Sequence, residues 1–143
     1  MSEKNISCAL ELHRLVFDSI KFDRYGFKNE NQVKYTLEAT FSENKSENIF
    51  RANLVLSGEK SEEYAFSISV SGYFSIENSN EIDEAVKQDL VTKNAASIIM
   101  PYLRSQVTLL TAQPEVDCVV LPPFNINSML NAAQSEAQAG KQL

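Results

Sequence analysis

The side chains that could perform chemistry are few and widely separated along this chain. It contains one histidine, His13, and two cysteines, Cys8 and Cys118, which lie near opposite ends. Metal sites and redox pairs need such ligands at short, recurring spacings, and none is present here. We therefore predict no metal and no cofactor, and we expect both cysteines to be free thiols, buried or half-buried, in a reducing compartment.

Serines and acids do not form a catalytic pattern either. No serine lies between glycines as in a nucleophile elbow, and four glycines are too few to build a phosphate-binding loop. The acidic pair Glu62–Glu63 falls in a predicted turn, where solvation explains it. His13 is opposite in parity to Leu10 and Leu12, which predicts an exposed imidazole. The sequence indicates a protein that is not an enzyme.

The chain length and the net charge further limit the class of protein. The 143 residues predict a single domain spanning 1–143, with poorly ordered tails at 1–8 and 135–143. A net charge of −6 argues against nucleic acid as the partner, because phosphate binding needs a basic face. No apolar run reaches the roughly 18 residues of a membrane span, and no secretory signal is visible. We expect a cytoplasmic protein that does not insert into membranes.

Four segments alternate apolar and polar residues with a period of two, which predicts strands with one buried face. The first, Ala9–Tyr25, loses its parity near Arg14–Asp18, which predicts a bend or bulge. The other three segments are residues 33–41, 50–56 and 64–76. Short connections with turn residues, Ser42–Asn48 and Ser57–Ser61, predict a four-stranded antiparallel meander covered on one side.

After Ile76 the period becomes helical. A short helix is predicted from Asn78 or Ser79 through about Leu90, and a main helix begins at Asn94. The apolar stripe of the main helix recurs every three or four residues and comprises Ala95, Ile98, Ile99, Tyr102, Leu103, Gln106, Val107 and Leu110. Further apolar residues lie off this stripe, so the helix should contact its own sheet and a second layer, either another subunit or a ligand.

Pro101 lies about two turns inside this helical pattern and predicts a kink, because the apolar spacing runs through it. The alternative is a helix that begins at Met100, with Pro101 in its first turn. Gln113–Pro114 ends the helix. The loop that follows is unusually apolar for a loop, with Val116, Val119, Val120, Leu121, Pro122, Pro123 and Phe124. It is either buried under a neighbour or forms a surface that binds apolar groups. A last, weakly amphipathic helix is predicted over Met129–Gln138, and it should depend on docking.

Several of these segments, taken together, resemble the SecB family of export chaperones. The segments are SGYFSI at Ser71–Ile76, the helix AASIIMPYLRSQVTLL with its Pro101–Arg104 motif, and LPPFNINSML from Leu121. The resemblance covers residues 10–132. It implies an α+β fold, in which a four-stranded antiparallel sheet is backed by a long helix and a short C-terminal helix.

The resemblance also implies a function. It implies an ATP-independent holdase that binds unfolded preproteins in apolar grooves, keeps them export-competent, and assembles as a homo-oligomer, a dimer of dimers. The expected client-binding residues are Met100, Tyr102, Leu121, Phe124, Ile126, Met129 and Leu130. Acidic Asp18, Asp23 and Glu38 are the expected contacts to the SecA motor ATPase. Two alternatives stay open: a SecB-like chaperone dedicated to one partner such as an antitoxin, and a non-chaperone oligomeric module whose apolar loop is buried.

Overall fold

The computed structural model describes residues 10–76 and 83–122. These residues form four strands and one helix: β1 Leu10–Arg24, β2 Val33–Asn44, β3 Ile49–Lys60, β4 Tyr64–Ile76 and α1 Glu84–Thr111. The tails predicted at 1–8 and 135–143, the helix predicted at Met129–Gln138, and the predicted caps Asn78 and Ser79 lie outside the described residues.

The four strands form one antiparallel sheet in the order β1-β4-β3-β2. Strands β2, β3 and β4 follow one another as a meander, and β1 pairs with the far side of β4. Because β1 and β2 are opposite edges of the sheet, the chain crosses one end of it between Arg24 and Val33. The predicted fold class, a four-stranded antiparallel sheet backed by a long helix, is confirmed.

The first strand carries two bulges. Its register against β4 slips at His13 and again at Asp18, so the parity slip predicted near Arg14–Asp18 is confirmed. A bulge inserts one extra residue and re-aims its side chain. The ring nitrogen Nε2 of His13 lies 2.6 Å from Oγ of Ser75, and the hydroxyl of Ser71 donates to Oδ2 of Asp18. Both re-aimed side chains therefore bond to serines of β4.

The sheet buries one face against α1. Alternate residues of the three meander strands supply most of its core, namely Leu37, Phe50, Ala52, Leu54, Leu56, Phe66, Ile68, Val70 and Phe74. Gly58 belongs to this face and lies in β3, so its assignment to a turn was wrong. A Cβ at Gly58 would lie 2.4 Å from the ring of Phe66, so only glycine lets that ring cover the strand.

One helix replaces the two that the spacing predicted. Helix α1 runs from Glu84 to Thr111 without a break at Asn94, so the predicted start there was wrong. The side-chain amide of Asn94 donates to the Leu90 carbonyl over 2.9 Å, which is a bond within the helix and not a cap. Pro101 lies inside the helix, as predicted, and faces solvent.

The buried side of α1 changes along its length. Its buried residues include a row with a spacing of four, made of Lys87, Val91, Ala95, Ile99, Leu103, Val107 and Thr111. Because an α-helix has 3.6 residues per turn, a row with this spacing winds around the helix axis. The two halves of the helix are therefore buried on different sides.

The second layer against the helix is in part the chain's own loop. Residues 112–122 turn back along the C-terminal half of α1, where Arg104 donates to the Leu121 carbonyl over 2.9 and 3.1 Å. The Val119 N–H donates to Oγ1 of Thr111 over 2.8 Å, and Thr108 donates to the Val119 carbonyl over 2.9 Å. These bonds satisfy loop backbone groups that packing takes out of water.

Candidate functional site

Residues 25–31 cross the end of the sheet and rest on the turn between β3 and β4, Ser61–Glu63. The N–H groups of Tyr25 and Gly26 donate to the Glu63 carbonyl over 3.0 and 3.1 Å. The side-chain amides of Asn29 and Asn31 both donate to the Ser61 carbonyl, over 2.9 and 3.0 Å. Hydrogen bonds thus tie the crossing loop to the turn along most of its length.

Gly26 is the point of closest approach between loop and turn. A Cβ built at Gly26 would lie 1.8 Å from the carbonyl oxygen of Glu62, which is backbone and cannot swing aside. Only a residue without a side chain lets the two backbones come this close.

Glu63 is the centre of this contact, and the prediction that solvation explains the Glu62–Glu63 pair was wrong for it. Glu62 is exposed, but Glu63 has no exposed surface. Its Oε1 accepts a hydrogen bond from the Asn29 N–H and pairs with Nζ of Lys60, each over 2.9 Å. The sequence signal for the ion pair was Lys60, a lysine three residues before Glu63.

Two opposing effects act on the pKa of Glu63. Burial acts to raise it, but the hydrogen bonds from Lys60 and the Asn29 N–H, with the charges of Lys60 and Arg24, hold the pKa below its ordinary value. The carboxyl is therefore ionised at neutral pH, inside the protein and paired with a lysine that is 5% exposed.

The crossing loop presents aromatic side chains to solvent. Phe27 is 90% exposed and Tyr25 is 55% exposed. Both line an open cleft, which we call the loop cleft, formed by residues 24–28 and by Pro114 and Glu115 after α1. Two large aromatic side chains are thus exposed on a loop that is held by hydrogen bonds.

An ion pair joins the two walls of the loop cleft. Nζ of Lys28 lies 2.9 Å from Oδ1 of Asp117. This hydrogen bond raises the pKa of Lys28 and holds the pKa of Asp117 below its ordinary value. Both side chains are about half exposed or more, so solvent screens the pair and it contributes little to stability.

The predicted client-binding residues are divided between core and surface. Met100 is 2% exposed and Leu121 is 3% exposed, and both belong to the hydrophobic core. Tyr102 is 49% exposed. The remaining four, Phe124, Ile126, Met129 and Leu130, lie outside the described residues. Within the loop, Val120 is exposed, and so is the free thiol of Cys118, which corrects the prediction that this thiol is buried or half-buried.

A second apolar surface runs along α1. Tyr102 and Leu109, with an exposed fraction of 68% at Leu109, lie in a row with half-buried Ile98 and exposed Ser105. Spacings of four, three and four place these residues on one side of a helix. Tyr102 and Leu109 are exposed in this row, which we call the open helix stripe, whereas Ile98 also packs against the core.

The three predicted acidic contacts lie apart on the outer face of the sheet, away from α1. Asp18 accepts hydrogen bonds from Ser71 and Asn53, so its carboxylate is already engaged within the chain. Asp23 lies near the end of β1 and Glu38 on β2, both exposed. Three strand spacings, roughly 14 Å, separate β1 from β2. The three carboxylates therefore form no single acidic cluster.

Within residues 10–76 and 83–122, no three potential metal-ligating side chains from histidine, cysteine, aspartate and glutamate come together. No helix in the same part of the chain combines the length and apolar character needed to cross a membrane.

Comparisons with known proteins agree with this geometry at the level of fold. No protein-family model matches the chain. The uncharacterized protein MJ0357 of Methanocaldococcus jannaschii is 25% identical over 135 residues, covering 86% of this chain and 83% of that protein. Mycobacterium tuberculosis Rv1957, a SecB-like chaperone solved in complex with a ChAD peptide from the Rv1956 HigA1 antitoxin, is similar with a TM-score of 0.69. That match has 10% identity and covers 85% of this chain and 95% of Rv1957, so this chain has the fold of a SecB-like chaperone.

Proposed function

We propose that this protein is an ATP-independent chaperone that binds extended apolar segments of unfolded polypeptides. The observation that carries the proposal is the loop cleft, where Phe27 and Tyr25 are exposed on a loop held by hydrogen bonds. The fold shared with a SecB-like chaperone supports it. When a client covers the exposed aromatic rings, the burial of apolar surface favours binding. Because hydrogen bonds already hold the loop, the loop loses little conformational entropy on binding.

The energetics suit a holdase of broad specificity. Each large apolar side chain that a client buries contributes roughly 1.5–3 kcal/mol. The Tyr25 hydroxyl donates to the Tyr64 carbonyl within the chain, so the cleft offers clients mainly aromatic ring surface, which accepts many side-chain shapes and discriminates weakly between clients. Several such clefts on one oligomer would bind one long client with a high effective concentration. In this proposal Phe124, Ile126, Met129 and Leu130, outside the described residues, also contact clients, whereas the buried Met100 and Leu121 do not.

The open helix stripe supports a homo-oligomer. Tyr102 and Leu109 lie on one side of α1 with no cover from the described residues. A second copy that packs the same stripe against this one would bury both, in a two-fold contact of helix against helix. Two such dimers would give the dimer of dimers.

The decisive experiment combines an aggregation assay with peptide binding. The purified protein should suppress light scattering when a denatured client is diluted from guanidinium, without added ATP. It should also bind a fluorescent extended peptide with alternating apolar residues, and bind a matched peptide with serines at those positions more weakly. A protein that neither slows aggregation nor distinguishes the two peptides would contradict the proposal.

A dedicated partner is the second candidate. The observation that favours it is the antitoxin peptide held by Rv1957 in the solved complex. Affinity capture from the native host distinguishes the two roles. Many unrelated unfolded chains support the general holdase, and one stoichiometric partner supports the dedicated chaperone.

Coupling to the SecA motor ATPase is a further part of the general role. Asp23 and Glu38 are exposed on the outer face and available to a basic partner, whereas Asp18 would first have to release Ser71 and Asn53. Reversal of charge at Asp23 and Glu38 should weaken binding to the purified motor. Unchanged binding would argue that the acidic residues play no part in it.

A further inference from the structure

We propose that Glu63 is the positioning residue of the loop cleft: its buried carboxylate and its carbonyl hold residues 25–31 in the arrangement that presents Phe27 and Tyr25 to a client. This inference rests on the proposed function and assigns to that site a residue that does not itself touch the client.

The geometry places both ends of the aromatic segment on one residue. The Glu63 carbonyl accepts the N–H groups of Tyr25 and Gly26, which precede Phe27. Oε1 of Glu63 accepts the N–H of Asn29, which follows it. Phe27 lies between these attachments and is itself 90% exposed. The loop is therefore fixed on both sides of an aromatic ring that packing does not hold.

The negative charge of Glu63 is essential to this arrangement. Lys60 is 5% exposed, and its Nζ lies 2.9 Å from Oε1 of Glu63. A glutamine could still accept the Asn29 N–H, but it would remove the carboxylate that pairs with the buried ammonium of Lys60, which is strongly destabilising. Among the described residues, Oε2 of Glu63 accepts no hydrogen bond, so the part of the attachment made by the carboxylate depends on Oε1 alone.

The consequence for binding is preorganisation. A loop already fixed in its binding conformation does not lose backbone entropy when a client arrives. If Glu63 loses its charge, residues 25–31 should sample other conformations and Phe27 should leave the cleft for part of the time. Client affinity should then fall, although no residue that contacts the client has changed.

The test compares Glu63→Gln with Glu62→Gln, which neutralises the exposed neighbour. Hydrogen exchange of residues 25–31 reports the attachment directly. The chain contains no tryptophan, so Phe27→Trp provides a single indole, excited selectively over the five tyrosines, whose anisotropy decay reports loop motion. In Glu63→Gln we expect exchange in the loop to accelerate about tenfold, fast motion of the introduced indole to appear, and affinity for an apolar peptide to fall about tenfold. Glu62→Gln should match wild type in all three.

Because Glu63→Gln removes a buried charge, this variant could fail to fold, and a second variant provides an independent test. Glu63→Asp keeps a negative charge beside Lys60 but shortens the side chain by one methylene, which withdraws the carboxylate from the Asn29 N–H. It should loosen the loop in the same way at smaller amplitude, with exchange in β4 unchanged, and it decides the question if Glu63→Gln does not fold.

Each alternative outcome overturns a defined claim. Loop exchange and indole anisotropy that stay unchanged in Glu63→Gln would overturn the positioning role, as would acceleration that is equal in the loop and in β4. A loosened loop with unchanged peptide affinity would overturn its link to binding. A wild-type protein that binds no peptide overturns the proposed function and this link with it, whereas exchange still reports whether Glu63 holds the loop.

Discussion

The main-chain N–H of Asn29 donates a 2.9 Å hydrogen bond to Oε1 of Glu63, 34 positions away along the chain. This bond joins the loop between β1 and β2 to the turn between β3 and β4. It exists because β1 and β2 are opposite edges of the sheet, so the connection between them must pass the end where that turn lies. The exposed aromatic residues are thus positioned by the order of the strands.

The stability of the protein should depend on pH through Glu63. Because its folded pKa is held below the ordinary glutamate value of about 4.3, its contribution is fully present above that value. It is lost as pH falls through the lower, folded pKa. The facing positive charges of Lys60 and Arg24 then have no opposite charge at this position.

Urea unfolding of wild type and Glu63→Gln between pH 7 and pH 3 measures this contribution. The difference in unfolding free energy between the two should be constant from pH 7 to about pH 5.5 and should shrink below about pH 4.3. Asp117 also has a lowered pKa, and its contribution cancels because both proteins contain it. A difference that does not change with pH would show that the carboxylate charge is irrelevant.

Gly26→Ala should destabilise the protein by forcing loop and turn apart. The new methyl group would lie 1.8 Å from the Glu62 carbonyl oxygen, and backbone must move to accept it. We expect a loss of about 1–3 kcal/mol in unfolding free energy. Denaturant midpoints measure it, with Gln32→Ala, an exposed position of the same connection, as the matched control. Equal midpoints for the two variants would mean that the loop does not sit on the turn.

Phe27→Ser should weaken client binding and leave stability unchanged. The ring is 90% exposed, so its removal costs the folded protein little, but a client can no longer cover it. Loss of one buried phenyl contact corresponds to a roughly ten- to hundredfold lower affinity. Fluorescence titration with an apolar peptide measures the change. Val86→Ser, at an exposed valine near the start of α1, should bind as wild type, and an equal loss in both variants would speak against the loop cleft.

Leu109→Asp should reduce the oligomeric mass. Wild type should scatter light as a multiple of the 16.0 kDa chain, four in the dimer of dimers. An aspartate in the middle of a buried helix contact would cost several kcal/mol, so the mass of this variant should fall. Ser97→Asp adds the same charge at an exposed position off the open helix stripe and should keep the wild-type mass. If wild type is a monomer, the open helix stripe is not a contact between subunits.

The strands were predictable because period-two alternation reflects a local requirement, one buried and one solvated face, that each strand meets by itself. The bulges of β1 were predictable for the same reason, since the parity slip near Arg14–Asp18 is visible in the sequence. The helix was predicted in two pieces because Asn94 has the residue type of a cap, and only the surrounding turns decide where its amide bonds.

The candidate site was only partly accessible from sequence. Met100 and Leu121 have the apolar character of a binding surface, but tertiary packing places both in the hydrophobic core. Phe27 was not predicted as a site residue, because a single aromatic residue in a polar loop belongs to no periodic pattern. The burial of Glu63 was not predicted, because an acidic residue in a turn is normally solvated. Its burial depends on the loop between β1 and β2, which is distant along the chain.

The sequence by itself determined the α+β class, the four strands, the slip in β1 and the absence of a recognisable catalytic pattern, because each follows from residue types and local spacing. The tertiary structure alone decided that β1 pairs with β4, and hence that residues 25–31 cross the sheet onto Glu63. Strand order depends on contacts between residues distant along the chain, which no local pattern encodes, and those contacts decide which apolar side chains are buried and which remain exposed.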